Sequence, residues 1–171
     1  MAARFVADSM LGQLAKWLRA LGYDVVYHPF ADDREVAAWA QERGATLLTR
    51  DTELARRAKA RVIFIEHDHL GEQVRQVAEE APLDLARARP LSRCMVCNGE
   101  LVAATREEVW GRVPPYVYLT RESYARCPGC GRVYWEGTHV GRMRERLAEL
   151  VQAAGVSRPI GAGDDEGPRS E

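Results

Sequence analysis

No run of apolar residues in this 171-residue chain is long enough to cross a bilayer. The N-terminus offers no secretory h-region either, because Arg4 and Asp8 interrupt it. Cysteine is missing from the first 93 positions, and only four occur in all. These absences point to a cytoplasmic protein without membrane partners, where thiols stay reduced and paired cysteines favour metal over disulfide. Lysine is scarce as well: Lys16 and Lys59 are the only two, in or beside expected helices. A phosphoryl-accepting receiver domain wants a lysine after a late strand and paired acids after its first, where Asp8 stands alone, so the pattern argues against that class. The apolar fraction of 46% excludes a disordered chain.

Net charge of either sign is lacking too, at −1 overall, but the charges are unevenly spread. Residues 1–86 carry 11 Lys/Arg and 14 Asp/Glu, a balance of −3. Residues 87–146 carry 11 Arg and 6 Glu, a balance of +5. One half suited to cations beside one suited to a polyanion suggests divided labour, although solvated surface charge explains the split equally well.

The four cysteines form two tight pairs, Cys94-Met95-Val96-Cys97 and Cys127-Pro128-Gly129-Cys130. Two C-x-x-C knuckles separated by a moderate loop are the spacing of a four-thiolate zinc site. Asn98-Gly99 and Gly131 supply the positive-φ positions such turns need. Neither pair is followed by His, which rules out haem attachment; two disulfides or a redox C-x-x-C share the spacing. A closed Zn²⁺ site of this kind is structural.

The first 80 residues alternate between strand-like and helix-like segments. Strands are expected at 4–7, 24–27, 45–49 and 62–65. Helices are expected over 11–21 (stripe Leu11, Leu14, Leu18, Leu21), from Asp32 in a capping box with Glu35, over 52–58 and over 70–80. Such alternation predicts an α/β fold: a parallel sheet flanked by helices, with ligands outside the carboxyl ends of the strands. A linker over 81–93 separates a core (1–85) from a small zinc-bearing module (86–154). That module has short strands at 101–104 and 132–135, a rigid turn at 113–116 and an amphipathic helix over 141–152. The Gly-, Pro- and acid-rich tail, 155–171, is expected not to order.

Asp8, Asp32-Asp33, Asp51 and Asp68 follow the four core strands. In a parallel sheet they share one rim, and converging carboxylates need a cation between them. Oxygen-only donors suit Mg²⁺ or Mn²⁺, and an ion there serves hydrolysis of a phosphodiester. Asp32 is most simply an N-cap. Asp33 is either a functional acid or helix-dipole compensation. Asp24 is expected to pair with Arg19. Arg19 and Arg50 either hold a carboxylate or grip a phosphate, and Thr49 is a candidate donor to the acids. Trp135 and His139 follow the second knuckle, where aromatics among arginines stack on unpaired bases or fill the ribbon's own core.

Phe5-Val6-Ala7-Asp8, Met10-Leu11-Gly12, Leu14-Ala15, Trp17-Leu18-Arg19 and Leu21-Gly22-Tyr23-Asp24 open the chain, followed later by Leu47-Leu48-Thr49-Arg50-Asp51. Arg93-Cys94-Met95-Val96-Cys97-Asn98-Gly99, Cys127-Pro128-Gly129-Cys130 and Tyr134-Trp135-Glu136-Gly137-Thr138-His139 close it. In this order the motifs resemble the PIN-like RNase family with a fused zinc ribbon, named after the C-terminal domain of the mutator-seven exonucleases. The resemblance runs from about residue 3 to 147. It implies a PIN-like nuclease core whose acids bind Mg²⁺ or Mn²⁺ and cut RNA. Asp8 matches the acid after strand one, Asp33 the acid opening the second helix and Asp51 the acid of the Thr-Arg-Asp motif. Asp68 is the nearest candidate for a fourth acid. PIN-like domains often pair, so a homodimer is among the expected partners beside RNA. The expected function is a metal-dependent ribonuclease with RNA positioned by the ribbon; the alternative is an inactive RNA- or ribosome-binding module on the same fold.

Overall fold

A computed structural model describes residues 3–81, 83, 89, 91–135 and isolated positions between 142 and 152. Strands β1 (Arg4–Ala7), β2 (Asp24–Tyr27), β3 (Thr46–Thr49) and β4 (Val62–Phe64) form one sheet in the order β2-β1-β3-β4. Every pairing is parallel, with Ala7 opposite both Tyr27 and Leu48, and Thr49 opposite Phe64. The connections are helical: α1 (Gly12–Ala20) after a 3₁₀ turn, α2 (Asp33–Arg43), α3 (Thr52–Arg57) and α4 (Leu70–Glu80).

The two-residue side-chain period of the strands sorts the helices onto opposite faces. Phe5, Ala7, Leu48, Ile63 and Ile65 meet α1 through Leu14 and Leu18, and α4 through Val74 and Val77. Val6 and Leu47 point the other way, against Val36 and Ala40 of α2 and Leu54 of α3. The expected α1 stripe of Leu11, Leu14, Leu18 and Leu21 is wholly buried. Each such leucine contributes about 1.5–3 kcal/mol of hydrophobic transfer, and Leu48→Ala, at the centre of the sheet, costs about 2–5 kcal/mol. Helix α2 begins with the expected capping box, Asp32 accepting from the Glu35 N–H and Glu35 reaching back to the Asp32 N–H. It ends at Gly44, whose φ of +56° admits the left-handed turn.

The second module holds β5 (Val102–Ala104), α5 (Pro115–Thr120), β6 (Tyr124–Arg126) and β7 (Val133–Trp135), with a three-stranded antiparallel sheet β5-β6-β7. Two details differ from expectation. The Pro114-Pro115 stretch, read as a rigid turn, opens a helix, because proline's fixed φ suits the first helical position and the N–H it lacks has no partner there. The three-residue β6 carries too little pattern to read, yet Tyr124 anchors it by packing with Val109, Val113 and Val117. Among positions 136–171 only 142, 145, 146, 148–150 and 152 are described, so His139 and the expected disordered tail lie outside the described residues.

Candidate metal centre and acidic rim

The knuckles are built alike. The Cys94 N–H bonds to the Gly99 carbonyl at 2.7 Å and the Asn98 N–H returns to Cys94 at 2.9 Å. In the second knuckle, Cys127 N–H reaches Arg132 at 2.8 Å and Gly131 N–H returns to Cys127 at 2.9 Å. Asn98 (φ +69°) and Gly131 (φ +74°) take the left-handed turns. Gly99 is needed for a different reason: a Cβ there would lie 3.1 Å from the Cys127 Sγ.

The four Sγ atoms of Cys94, Cys97, Cys127 and Cys130 all lie within 4.8 Å of one another. Cys94 is 3.7 Å from Cys130, and Cys97 is 3.2 Å from Cys127. A tetrahedral thiolate site with Zn–S of about 2.3 Å sets sulfurs about 3.8 Å apart, so the four-sulfur set fits Zn²⁺. Convergence on one point suits a shared cation rather than separate disulfides, and all four cysteines are free. Sulfurs so close cannot ionise independently. Burial pushes the Cys94 thiol up, yet hydrogen bonds from the Cys97 backbone and the Tyr134 hydroxyl outweigh it, and its pKa falls to about 6. The Cys97 thiol, although a backbone bond from Gly99 favours its thiolate, is pushed up to about 12 by Cys127 and burial. Tyr134, whose hydroxyl lies 3.1 Å from the Cys94 Sγ, is itself raised by burial and by that contact.

The first knuckle is locked onto the outer edge of β2. Arg19, in the last turn of α1, is buried and donates from Nε to the Val25 carbonyl at 2.9 Å. Its Nη1 donates to the Met95 and Val96 carbonyls at 3.1 and 2.9 Å. Asn98 accepts from the Val25 N–H at 3.0 Å and donates to Asp24 at 2.7 Å. The chain entering the knuckle also touches α1, where Leu91 N–H bonds to Ala20 at 2.8 Å. Gly22 (φ +98°) leaves no room for a side chain: a Cβ would lie 2.6 Å from the Arg89 carbonyl. The knuckle therefore satisfies an edge strand that would otherwise offer open N–H and C=O groups.

Arg19 thus sits at the amino end of the strands, opposite the rim where it was expected. Burial lowers its pKa, opposed by the nearby Cys94 and Cys97 sulfurs. Asp24 pairs with Asn98 rather than with Arg19.

The acids stand at the other end of the sheet. The strand order reverses around β1, so the crevice between the carboxyl ends of β1 and β3 is the place where ligands bind in such folds. Asp8 and Asp51 flank it. Asp8 is buried; one carboxylate oxygen accepts from the Ser9 N–H at 2.5 Å and the other from the Thr49 hydroxyl at 2.8 Å. The same Thr49 oxygen accepts from the Asp51 N–H at 2.9 Å. Thr49, fully buried, so joins the two acids across adjacent strands. Asp51 is also the N-cap of α3, accepting from Leu54 N–H at 2.8 Å. Asp33 opens α2 and is exposed. Asp68 forms an ion pair with Arg50 at 2.6 Å, tying the loops after β3 and β4 together.

Asp8 has no cationic side-chain partner among the described residues, and its oxygens are of the donor type that suits Mg²⁺ or Mn²⁺. The spacing does not close on one ion, however. Among the described residues the cysteines form the only group of three or more metal-type ligands within 4.8 Å, so Asp8, Asp33 and Asp51 do not make one. Trp135 is half-buried and packs on the ribbon core of Val109, Val113, Val117 and Tyr124. The residues that sequence reasoning missed are Asn98 as a latch rather than a turn residue, and Ser9 as a partner of Asp8. Only the Asn-Gly dipeptide carried any signal for the first.

A parallel α/β sheet with acids at its switch point, joined to a four-cysteine ribbon, defines the class: a nuclease-like core with an appendage whose cysteines could hold a metal. The chain belongs to the Mut7-C RNase domain family, whose family model matches residues 3–147. A nuclease-type function directed at RNA comes with that membership. Searches of curated proteins and of solved structures found no match. No helix among the described residues is long and apolar enough to cross a membrane.

Proposed function

We propose that the chain is a Mg²⁺- or Mn²⁺-dependent ribonuclease with a PIN-like core, acting in the cytoplasm. The observation that supports this reading is Thr49, whose hydroxyl donates to the Asp8 carboxylate and accepts from the Asp51 backbone N–H, linking the chain at the ends of two neighbouring strands at the switch point. Asp8, Asp51 and Asp33 are the residues that would hold the ion, and Mg²⁺ keeps several of its waters, so incomplete enclosure by protein oxygens suits it. When bound, the ion supplies charge neutralisation at the phosphodiester and a more acidic water. The chain's own residues do the rest. Thr49 fixes the orientation of Asp8, the start of α3 fixes Asp51, and the Arg50–Asp68 pair sets Arg50 beside the rim, where exchange of Asp68 for a phosphate gives the guanidinium a substrate role.

Zn²⁺ in this reading is structural. Cys94, Cys97, Cys127 and Cys130 would hold it, and the first knuckle bonds to Val25 near the amino end of β2, the opposite end of that strand from the rim. Arg19 is withdrawn from the RNA contacts, since three carbonyls engage its guanidinium. Trp135 is assigned to the ribbon core. The ribbon's arginines contact phosphates without reading sequence, with His139 adjoining them in the chain, and a homodimer accords with the pairing habit of PIN-like domains.

The test is cleavage of single-stranded RNA with Mn²⁺ by wild type, Asp8→Asn and Asp51→Asn. Asparagine retains the capping acceptor at 51, so the loss there isolates charge. Both variants are expected to lose at least a hundredfold in rate; unchanged turnover in both removes the acids from the mechanism. A second reading, an inactive RNA- or ribosome-binding module, is favoured by the dispersed acids and by the engagement of Asp68 with Arg50. Salt-dependent RNA binding without metal-stimulated cleavage selects it.

A further inference from the structure

A small ribbon is short of apolar residues to bury, yet this one leaves one of its two tryptophans outside. Trp110 is 70% exposed, whereas Tyr124 goes into the core and Trp135 packs against it. Trp110 is also held in place. It meets Tyr118 edge-on, with ring centroids 4.8 Å apart and planes at 75°. The Arg106 guanidinium stacks over the Tyr118 ring at 4.5 Å from its centroid. Each aromatic directly follows a fully buried anchor, Val109 before Trp110 and Val117 before Tyr118. The rings therefore ride on the ribbon core rather than on a loose loop.

We propose that Arg106, Trp110 and Tyr118 form a stacking platform for unpaired bases of single-stranded RNA. This rests on the RNA-directed reading above, and it gives the ribbon's RNA contact to a different part of the module from Trp135. Three features select that occupant. Aromatic faces joined to a guanidinium plane are the elements on which unstacked bases settle, and they need no particular sequence. A cation over a ring adds attraction that a purely apolar protein partner does not use. The sequence of the module carries the matching charge for a polyanion, with residues 87–146 at +5. Of the acids beside Arg106 in the chain, Glu108 is engaged by Arg126 at 3.2 Å and by the Thr105 N–H at 2.8 Å. Duplex RNA, with its bases already stacked, has nothing to offer the indole.

The experiment uses the full chain, zinc-loaded, in the Asp8→Asn background so that binding is read without cleavage. Affinity for a fluorescein-labelled oligo(U) is measured by anisotropy, beside a hairpin duplex of equal length. Trp110→Ala is expected to weaken oligo(U) binding roughly tenfold, and Trp110→Phe to restore most of it. Hairpin binding is expected to stay unchanged in both. Arg106→Gln is expected to weaken oligo(U) binding and to flatten its salt dependence. Equal oligo(U) affinity for wild type and Trp110→Ala, or equal losses on hairpin and single strand, overturns the platform. Failure of the nuclease reading looks different: binding still depends on Trp110 while the otherwise wild-type chain shows no Asp8-dependent cleavage.

Discussion

Removing the Arg19 guanidinium should loosen the zinc knuckle and the nuclease core together. Arg19→Met keeps the stem that packs in the core but orphans three carbonyls, those of Val25, Met95 and Val96. Leaving a buried acceptor unpaired costs about 1–3 kcal/mol. The Val25 bond is buried and the other two are partly buried, so the loss should fall near the lower end for each, about 3–5 kcal/mol in total. At about 2–4 °C per kcal/mol for a chain of this size, Tm should drop by roughly 10 °C. Arg19→Lys should recover little, because one ammonium cannot span the β2 edge and the knuckle at once.

The informative measurement is the cycle with zinc. With zinc bound, the thiolates would hold the Met95 and Val96 carbonyls where Arg19 needs them, and stripping the metal should relax that geometry. Arg19→Met should therefore cost less after stripping, with a coupling of about 1–3 kcal/mol between metal and mutation. Thermal unfolding by circular dichroism, with and without stoichiometric zinc, supplies all four corners. Hydrogen exchange adds the spatial readout, because stripping zinc should deprotect the Val25 amide before those of β3. A Tm within about 2 °C of wild type, or strictly additive losses, would refute the interlock.

Other expectations follow from single contacts. Thr49→Val removes the hydroxyl between Asp8 and Asp51 at constant shape; it should cost about 1–3 kcal/mol and lower cleavage about 10–100-fold with the metal requirement intact, scored by unfolding and a Mn²⁺ titration. Asp32→Ala should lose about 1 kcal/mol of stability through the capping box with cleavage rate unchanged, whereas Asp33→Asn should do the reverse. Tyr134→Phe deletes the hydroxyl beside Cys94 and should weaken zinc retention about tenfold in competition with a chelating dye, without changing RNA affinity.

Most of the core was legible because its rules are local. Alternating apolar strands, the Leu11–Leu21 stripe and the Asp32/Glu35 capping box each act within a turn or two, and all four core strands form close to where pattern puts them. The knuckles were legible for the same reason, since C-x-x-C fixes its own turn. What could not be read is whatever two distant segments decide between them. Arg19 was a plausible substrate residue until the knuckle, more than 70 positions on, took its donors. Asn98 was a turn residue until Val25 and Asp24 gave its side chain a second task. Asp68 had the right strand-end position for an acid site, but an ion pair with Arg50 engages it.

The same distinction explains why a sulfur-bound staple and an acidic rim occur on one small chain. Strand β2 is one of the two outer strands of the core sheet, and its far end leads through residues 28–32 to Asp33. An edge strand with open hydrogen-bonding groups frays or pairs with another chain. Here Arg19 and Asn98 fill both groups of Val25 from a knuckle whose shape the four thiolates determine. Zinc held there would act on the rim mechanically, by fixing the strand that leads to Asp33, with no need to approach the substrate. If that is correct, chelation should depress cleavage more in wild type than in a variant whose β2 edge is already loosened, such as Asn98→Ala. Equal fractional losses in both would mean that the ribbon serves RNA binding alone.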